Sequence, residues 1–275
     1  MACPVPFPKK MPDGSVRFVP CGDCLACRID TRNSWTWRLM SELHYSSGVF
    51  VTLTINDDFL VGPSLCKASV QRFNKRLRKA LGNRKIKYFF VGEYGENTMR
   101  PHYHGIIIGL NSGKPLSYDR GDFDIIRDCW PFGFVSVKSA NKSTIRYLLK
   151  YLDKMQGDKF FCKQHPNLVP PFRLMSKGLG RRYIEEHFDE LRENDGKFFF
   201  DGAWRPLPRY YLEQVFTPYE LSNRFPVMSA SKMAKIKEFM NQYHCNYLTA
   251  MRELGKQSLV NLKAKQNLGG KCKGL

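Results

Sequence analysis

The stretch Arg100-Pro-His-Tyr-His-Gly105, running straight into Ile106, Ile107 and Ile108, constrains this chain more than any other. It reads as a β-strand, and side chains on a strand alternate between faces with period two. His102 and His104 therefore share one face of a sheet and Tyr103 takes the other. Further on, Thr144 to Tyr151 reads as a helix in which Tyr147 and Tyr151 stand one turn apart on one face. Each pair alone has a bland meaning: cross-strand packing for the histidines, half-buried core for the tyrosines. Together they supply a paired metal site and a nucleophile, which metal-assisted attack on a phosphodiester requires.

The charge balance names the kind of partner. Lys and Arg total 44 against 25 Asp and Glu, a net charge of +19. That excess is far beyond what solubility needs and points to nucleic acid. No uninterrupted apolar run is long enough to span a bilayer, and no basic-then-apolar leader is visible, so a soluble, unsecreted protein without a membrane partner is expected. Nine cysteines, an odd count clustered at one end, suit reduced thiols better than a disulfide framework.

Four segments follow from the pattern. Residues 1–46 form a Cys-rich extension: an extended arm, the run Cys21-Gly-Asp-Cys24-Leu-Ala-Cys27 with Cys3 upstream, and a helix from about Arg28 to Tyr45. Four thiolates suit structural zinc, although so short a run can also leave one thiol idle or hold nothing. Residues 47–156 form the core. Strands are expected at Val49–Ile55, Ile86–Glu93, the His-x-His segment and Gly133–Lys138, with helices at Ser69–Leu81 and around the tyrosines. This order predicts an α+β fold with a mostly antiparallel central sheet and helices packed on one face of it. Residues 157–228 are an accessory region containing a proline-rich loop, a short helix ending near His187 and a hairpin through Phe198–Phe200 and Trp204. Residues 229–275 are a basic helical tail; from Met228 onward there are nine basic and two acidic side chains.

Two imidazoles need a further ligand, and an anionic oxygen suits Mg2+ or Mn2+ better than nitrogen alone. Glu93 is the candidate, at the end of the strand expected to pair with the histidine strand; Glu96, on the intervening turn, is the alternative. The tyrosines are favoured over water as nucleophiles because they repeat one turn apart. Lys150 stands beside the second, placed to lower a phenol pKa or to neutralise a phosphate. Arg100, Lys154, Arg181 and Arg182 are candidate DNA contacts.

Val51-Thr-Leu-Thr-Ile55, Arg100-Pro-His-Tyr-His-Gly105 and Tyr147-Leu-Leu-Lys-Tyr151 resemble the three ordered motifs of HUH-type rolling-circle replication initiators, whose core is RRM-like. The block Pro20-Cys-Gly-Asp-Cys-Leu-Ala-Cys-Arg28 and Gly92-Glu-Tyr-Gly95 resemble, more narrowly, the initiators of gokushovirus-like microviruses. The resemblance implies an endonuclease that nicks single-stranded DNA at the replication origin, holds the 5′ end on a tyrosine and later rejoins the strand. It implies His102, His104 and Glu93 as metal ligands and Tyr147 and Tyr151 as nucleophiles, acting in the cytoplasm of a bacterial host. The resemblance also implies a host DNA polymerase that extends the 3′-hydroxyl, and no Gly-x-x-x-x-Gly-Lys-Ser/Thr loop is seen, so a host helicase would be needed.

Two rivals stand beside this reading. A relaxase or transposase would share the chemistry. A non-catalytic single-strand binding module would instead present Phe50, Tyr103 and Phe134 for base stacking.

Overall fold

A computed structural model describes residues 3–11, 14, 16–60, 62–95, 97–111, 121–154, 158–200 and 202–271. In chain order the elements are β1 (Phe7–Lys10), β2 (Val16–Val19), α1 (Leu25–Tyr45), β3 (Gly48–Thr54), α2 (Lys67–Leu81), β4 (Lys87–Tyr94), β5 (Pro101–Ile108) and α3 (Asp122–Asp128). They continue with β6 (Val135–Ser139), α4 (Lys142–Lys154), α5 (Asp158–Gln164), β7 (Phe172–Met175), α6 (Arg181–Glu186) and α7 (Phe188–Glu193). The chain closes with β8 (Lys197–Phe200), β9 (Ala203–Pro206), α8 (Arg209–Val215), α9 (Pro218–Tyr243) and α10 (Tyr247–Lys271). These divide into two compact units, residues 32–186 and residues 1–31 together with 187–275.

The first unit is built on a five-stranded sheet of order β6-β3-β5-β4-β7, antiparallel at every pairing. The strands β3 and β4, joined by α2, run parallel with β5 inserted between them, a split β-α-β arrangement. The expected α+β class with a mostly antiparallel sheet is what the structure has. Helices cover both faces of that sheet, however, and not one. Val70, Phe73 and Leu77 of α2, with Ile126 of α3 and Trp130 just beyond it, pack on Val51, Leu53, Phe90, Tyr103 and Ile107. On the opposite face Trp35 and Leu39 of α1 and Ile145, Leu148, Leu149 and Leu152 of α4 pack on Phe50, Phe89, Val91 and Ile106. The reason is visible in Phe89-Phe90-Val91 and Ile106-Ile107-Ile108: consecutive apolar residues on one strand need cover on both sides.

One close approach depends on a missing side chain. The ring of Phe90 lies over Gly105, where an added Cβ would sit 2.3 Å from a ring carbon. The glycine after the second histidine thus lets β4 and β5 pair with an aromatic between them and α2.

The second unit holds two hairpins and the C-terminal helices. The expected arm at the N-terminus is the hairpin β1–β2, pairing Phe7 with Val19. The hairpin expected around Phe198–Phe200 and Trp204 is β8–β9. The long C-terminal helix is two helices. The helix α9 starts earlier than expected, where the Thr217 hydroxyl accepts from the Glu220 N–H and the Glu220 carboxylate accepts from the Thr217 N–H, a capping box. It ends at His244, whose φ of 47° breaks the helical path before α10 begins. Ile236 of α9 packs on Ala250 and Met251 of α10. Among the described residues no helix is long and apolar enough to cross a membrane.

Candidate active site

Sheet register brings the polar residues of three strands onto one patch. His104 stands opposite Thr52 on β3 and Val91 on β4, while His102 stands opposite Thr54 and Glu93. Because registered partners share a face, both histidines, both threonines and Glu93 point to the side on which α4 packs. The two imidazoles are parallel, with centroids 6.4 Å apart and planes 5° from one another.

Hydrogen bonds fix each ring. His102 Nδ1 lies 2.8 Å from the carbonyl oxygen of Arg100. A carbonyl only accepts, so Nδ1 carries a proton and Nε2 of the neutral ring keeps its lone pair. His104 Nδ1 lies 3.0 Å from Thr52 Oγ1, and its Nε2 lies 3.0 Å from Glu93 Oε1. The histidine is buried, at 6 % exposure, so these contacts dominate its surroundings.

The His104–Glu93 pair has the spacing of two ligands on one divalent cation. Two ligand atoms about 2.1 Å from one ion and at right angles to each other stand about 3.0 Å apart, which is the His104–Glu93 separation. His102 stands on the same face with its ring centroid 6.4 Å from that of His104, and among the described residues only the four N-terminal cysteines bring three or more metal-ligand atoms together; the Arg100 carbonyl and Thr52 hydroxyl orient the two rings from behind, as partners of metal-bound histidines do. Without a cation the same atoms form a simple hydrogen bond between imidazole and carboxylate.

The tyrosine helix lies across this patch. Asn141 caps α4 by accepting from the N–H groups of Ser143 and Thr144 at 2.9 and 3.0 Å. The apolar stripe of Ile145, Leu148, Leu149 and Leu152 is fully or nearly fully buried. Tyr147 and Tyr151 stand together beside it. The ring of Tyr151 stacks on His104, with centroids 4.7 Å apart and planes 7° from parallel. Tyr151 Oη donates to Tyr147 Oη at 2.6 Å. Tyr147 is 48 % exposed and Tyr151 only 9 %. Burial pushes the Tyr151 phenol well above its usual range, and the bond to Tyr147 and the charge of Glu93 push it the same way.

The remaining candidates are placed unevenly. Lys150 is exposed on α4, and the groups acting on the Tyr151 phenol are Tyr147 and Glu93. Arg100 donates to Asp57 Oδ1 at 2.5 Å and to the Ile55 carbonyl at 2.7 Å, so it ties the turn after β3 to the histidine strand. Arg181 and Arg182 are exposed on α6 and pair along it with Glu185 and Glu186, each at 2.7 Å. Glu96 and the side chain of Lys154 lie outside the described residues. Cys3, Cys21, Cys24 and Cys27 come together in the other unit. Phe50 and Tyr103 are buried in the core at 7 % and 0 % exposure, so they are not available to stack on bases, whereas Phe134 is 79 % exposed. The Thr54 hydroxyl fixes the backbone of Phe134 on both sides, accepting from its N–H at 3.1 Å and donating to its carbonyl at 3.3 Å.

Sequence reasoning gave Thr52 and Thr54 no role at the site. The signal was present: within Val51-Thr-Leu-Thr-Ile55 the threonines alternate with apolar residues, which puts both on one face of the strand.

Comparison with known proteins covers the same part of the chain. A family model described as replication-associated protein ORF2 matches residues 48–156. The replication-associated protein ORF2 of Spiroplasma virus 4 is 31 % identical over 64 % of this chain and 60 % of its own length. The replication-associated protein VP4 of Bdellovibrio phage phiMH2K is 26 % identical over 70 % of this chain and 66 % of its own. The replication-associated protein ORF4 of Chlamydia phage 1 is 27 % identical over 82 % of this chain and 63 % of its own. The chain thus spans somewhat less than two thirds of the length of the curated relatives it matches. No solved structure matches. The resemblance to the initiators of gokushovirus-like microviruses, read first from the motifs, is borne out by these relatives.

Proposed function

We propose, from the likeness to replication-associated proteins of small phages, that this chain initiates rolling-circle replication by nicking single-stranded DNA at its origin and later rejoining the strand. The observation that carries the reading is the stacking of the Tyr151 ring on His104, with the Tyr147 and Tyr151 hydroxyls hydrogen-bonded beside it. A nucleophile pair packed on a sheet face that carries two histidines and a carboxylate offers the groups that phosphotyrosine transfer uses.

His102, His104 and Glu93 would hold Mg2+ or Mn2+, which when bound polarises a phosphate oxygen and offsets charge developing at phosphorus. Everything else falls to the chain. A tyrosine Oη loses its proton and bonds to phosphorus. The bond from phosphorus to the 3′ oxygen breaks, and that oxygen takes up a proton. One ester replaces another, so the energy of the backbone bond is kept on the enzyme and the reverse attack by a 3′-hydroxyl reseals DNA. The stack on His104 and the buried stripe of α4 hold the phenols at fixed depth over the patch, while exposed Lys150 and the net charge of +19 receive phosphates. Residues 47–156 carry this chemistry, and residues 157–228 and 229–275 grip the origin. Unwinding and extension fall to a host helicase and polymerase in the bacterial cytoplasm.

The test is to incubate purified protein with its own circular single-stranded genome, with and without Mg2+ or Mn2+, and to search the digest by mass spectrometry for a nucleotide-bearing tyrosine. A metal-dependent adduct on Tyr147 or Tyr151 is expected. Tight binding with neither nick nor adduct would overturn the proposal.

A further inference from the structure

The four N-terminal cysteines are unused by the site above, and their arrangement is more than proximity in sequence. Cys3 comes from the chain start, Cys21 and Cys24 from the loop ahead of α1, and Cys27 from its first turn. All four Sγ atoms lie within 4.8 Å of one another. Cys3 Sγ is 3.5 Å from Cys21 Sγ and 3.8 Å from Cys24 Sγ, and all are free thiols. Four thiolates about 2.3 Å from one tetrahedral ion stand about 3.8 Å apart, and the two separations from Cys3 lie at or just below that value.

Backbone geometry supports the same centre. The N–H of Cys21 donates to Cys3 Sγ at 3.4 Å and that of Cys24 to Cys21 Sγ at 3.3 Å. Such bonds stabilise sulfur carrying negative charge and orient it inward. Gly22, at φ 84°, supplies the left-handed turn that folds Cys21 back toward Cys24. The N-terminal end of α1 adds the favourable end of a helix dipole to the thiolates at its mouth. Cys3 and Cys27 are buried, at 6 % and 7 % exposure.

The geometry points to a structural zinc site formed by Cys3, Cys21, Cys24 and Cys27. Zinc is favoured over an iron–sulfur cluster, although a Cys-x-x-Cys-x-x-Cys run serves both. A cluster divides the four thiolates among two or four irons and so spreads the set of sulfurs wider than one shared ion does. Four closed ligands, with none left for water, make the site structural and not catalytic. Its ligands close the chain around β1–β2, whose Lys9 and Lys10 are exposed, and pin the residue before Pro4. Pro4 in turn packs on Gly255 of α10, where an added Cβ would sit 2.3 Å from Pro4 Cα. One ion would therefore tie the chain start, the basic hairpin, the head of α1 and α10 within one unit.

The test reads metal, not nicking, so it stands apart from the proposed initiator activity. Full-length protein purified with no chelator is assayed for zinc, iron and thiols as wild type, as His102→Ala/His104→Ala, and as Cys21→Ser/Cys24→Ser. One zinc per chain is expected in the first two, with loss in the third and a lower unfolding temperature. Should the cysteine variant fail to fold, cobalt exchange into wild type decides: a tetrahedral spectrum with charge transfer from four thiolates supports the site, and its absence overturns it. Iron with labile sulfide, thiols paired as disulfides, no bound metal, or zinc that follows the histidines would each overturn the assignment.

Discussion

Tyr151 lies flat on the imidazole of His104, its plane 7° from parallel. That contact makes a candidate nucleophile and a candidate metal ligand parts of one packed layer. The depth of the phenols over the patch is set by the same side chains that hold α4 on the sheet.

Replacing His102 by alanine removes one nitrogen from the cluster and leaves the phosphate contacts spread over many basic side chains. Nicking should fall by about 10²–10³-fold, the usual cost of losing one charge-stabilising group, while single-strand affinity changes little. An oligonucleotide cleavage assay beside a binding titration checks this; undiminished cleavage would remove the metal assignment.

Thr52→Val keeps the shape of β3 and deletes the hydroxyl 3.0 Å from His104 Nδ1. The expected effect is a loss of about 10- to 100-fold in apparent Mn2+ affinity, as for other groups that orient a ligand from behind. Nicking measured across a Mn2+ series should recover at high metal; a variant with no shift would show that the threonine only packs.

The tyrosines differ in access, with Tyr147 at 48 % exposure and Tyr151 at 9 %. Tyr147→Phe should therefore block the first cleavage, whereas Tyr151→Phe should allow it and fail at rejoining. Trapping the covalent adduct in each single variant separates the steps, and identical behaviour of both would refute an ordered use.

Phe134 is 79 % exposed with its backbone fixed by Thr54. If it stacks on a base near the site, Phe134→Ala should cost about 1–3 kcal/mol of single-strand binding, with the salt dependence unchanged because no phosphate contact is lost. Unaltered affinity would leave Phe134 as an idle surface ring.

Burial raises the Tyr103 phenol from 10.0 to about 12, and its oxygen accepts from the Cys66 N–H at 2.9 Å at the start of α2. A raised folded value means stability is fully present below the unfolded value and is lost as pH rises between about 10 and about 12. Tyr103→Phe should be less stable at neutral pH, having lost that hydrogen bond, yet lose less on alkaline titration. Chemical denaturation of both proteins at neutral and alkaline pH measures the difference.

Much of the site was legible because it obeys simple periods. Alternation put His102 and His104 together, the helical turn put Tyr147 beside Tyr151, and the short return from β4 to β5 placed Glu93 opposite His102. What was hidden depends on the rest of the chain. The strand β7 is four residues in a proline-rich stretch and exists because β4 offers it an open edge. Cover on both faces of the sheet followed from consecutive apolar residues, which a search for alternation passes over. The early start of α9 was written in Thr217-Pro-Tyr-Glu220, a capping signature that composition alone does not reveal. The pairing of Arg181 and Arg182 with glutamates one turn on shows why counting positive charge does not locate a DNA contact.

The helix α4 follows β6 and, with α5, precedes β7, the two rims of the sheet, and between them it crosses β5 and β4. Its apolar stripe fastens it along the sheet. Under the proposed chemistry a strand of DNA joined to Tyr147 or Tyr151 would be held by a helix packed along the sheet and not by a swinging arm; the anchorage would stay put, and it is the nucleic acid that would have to travel round to meet its own tail.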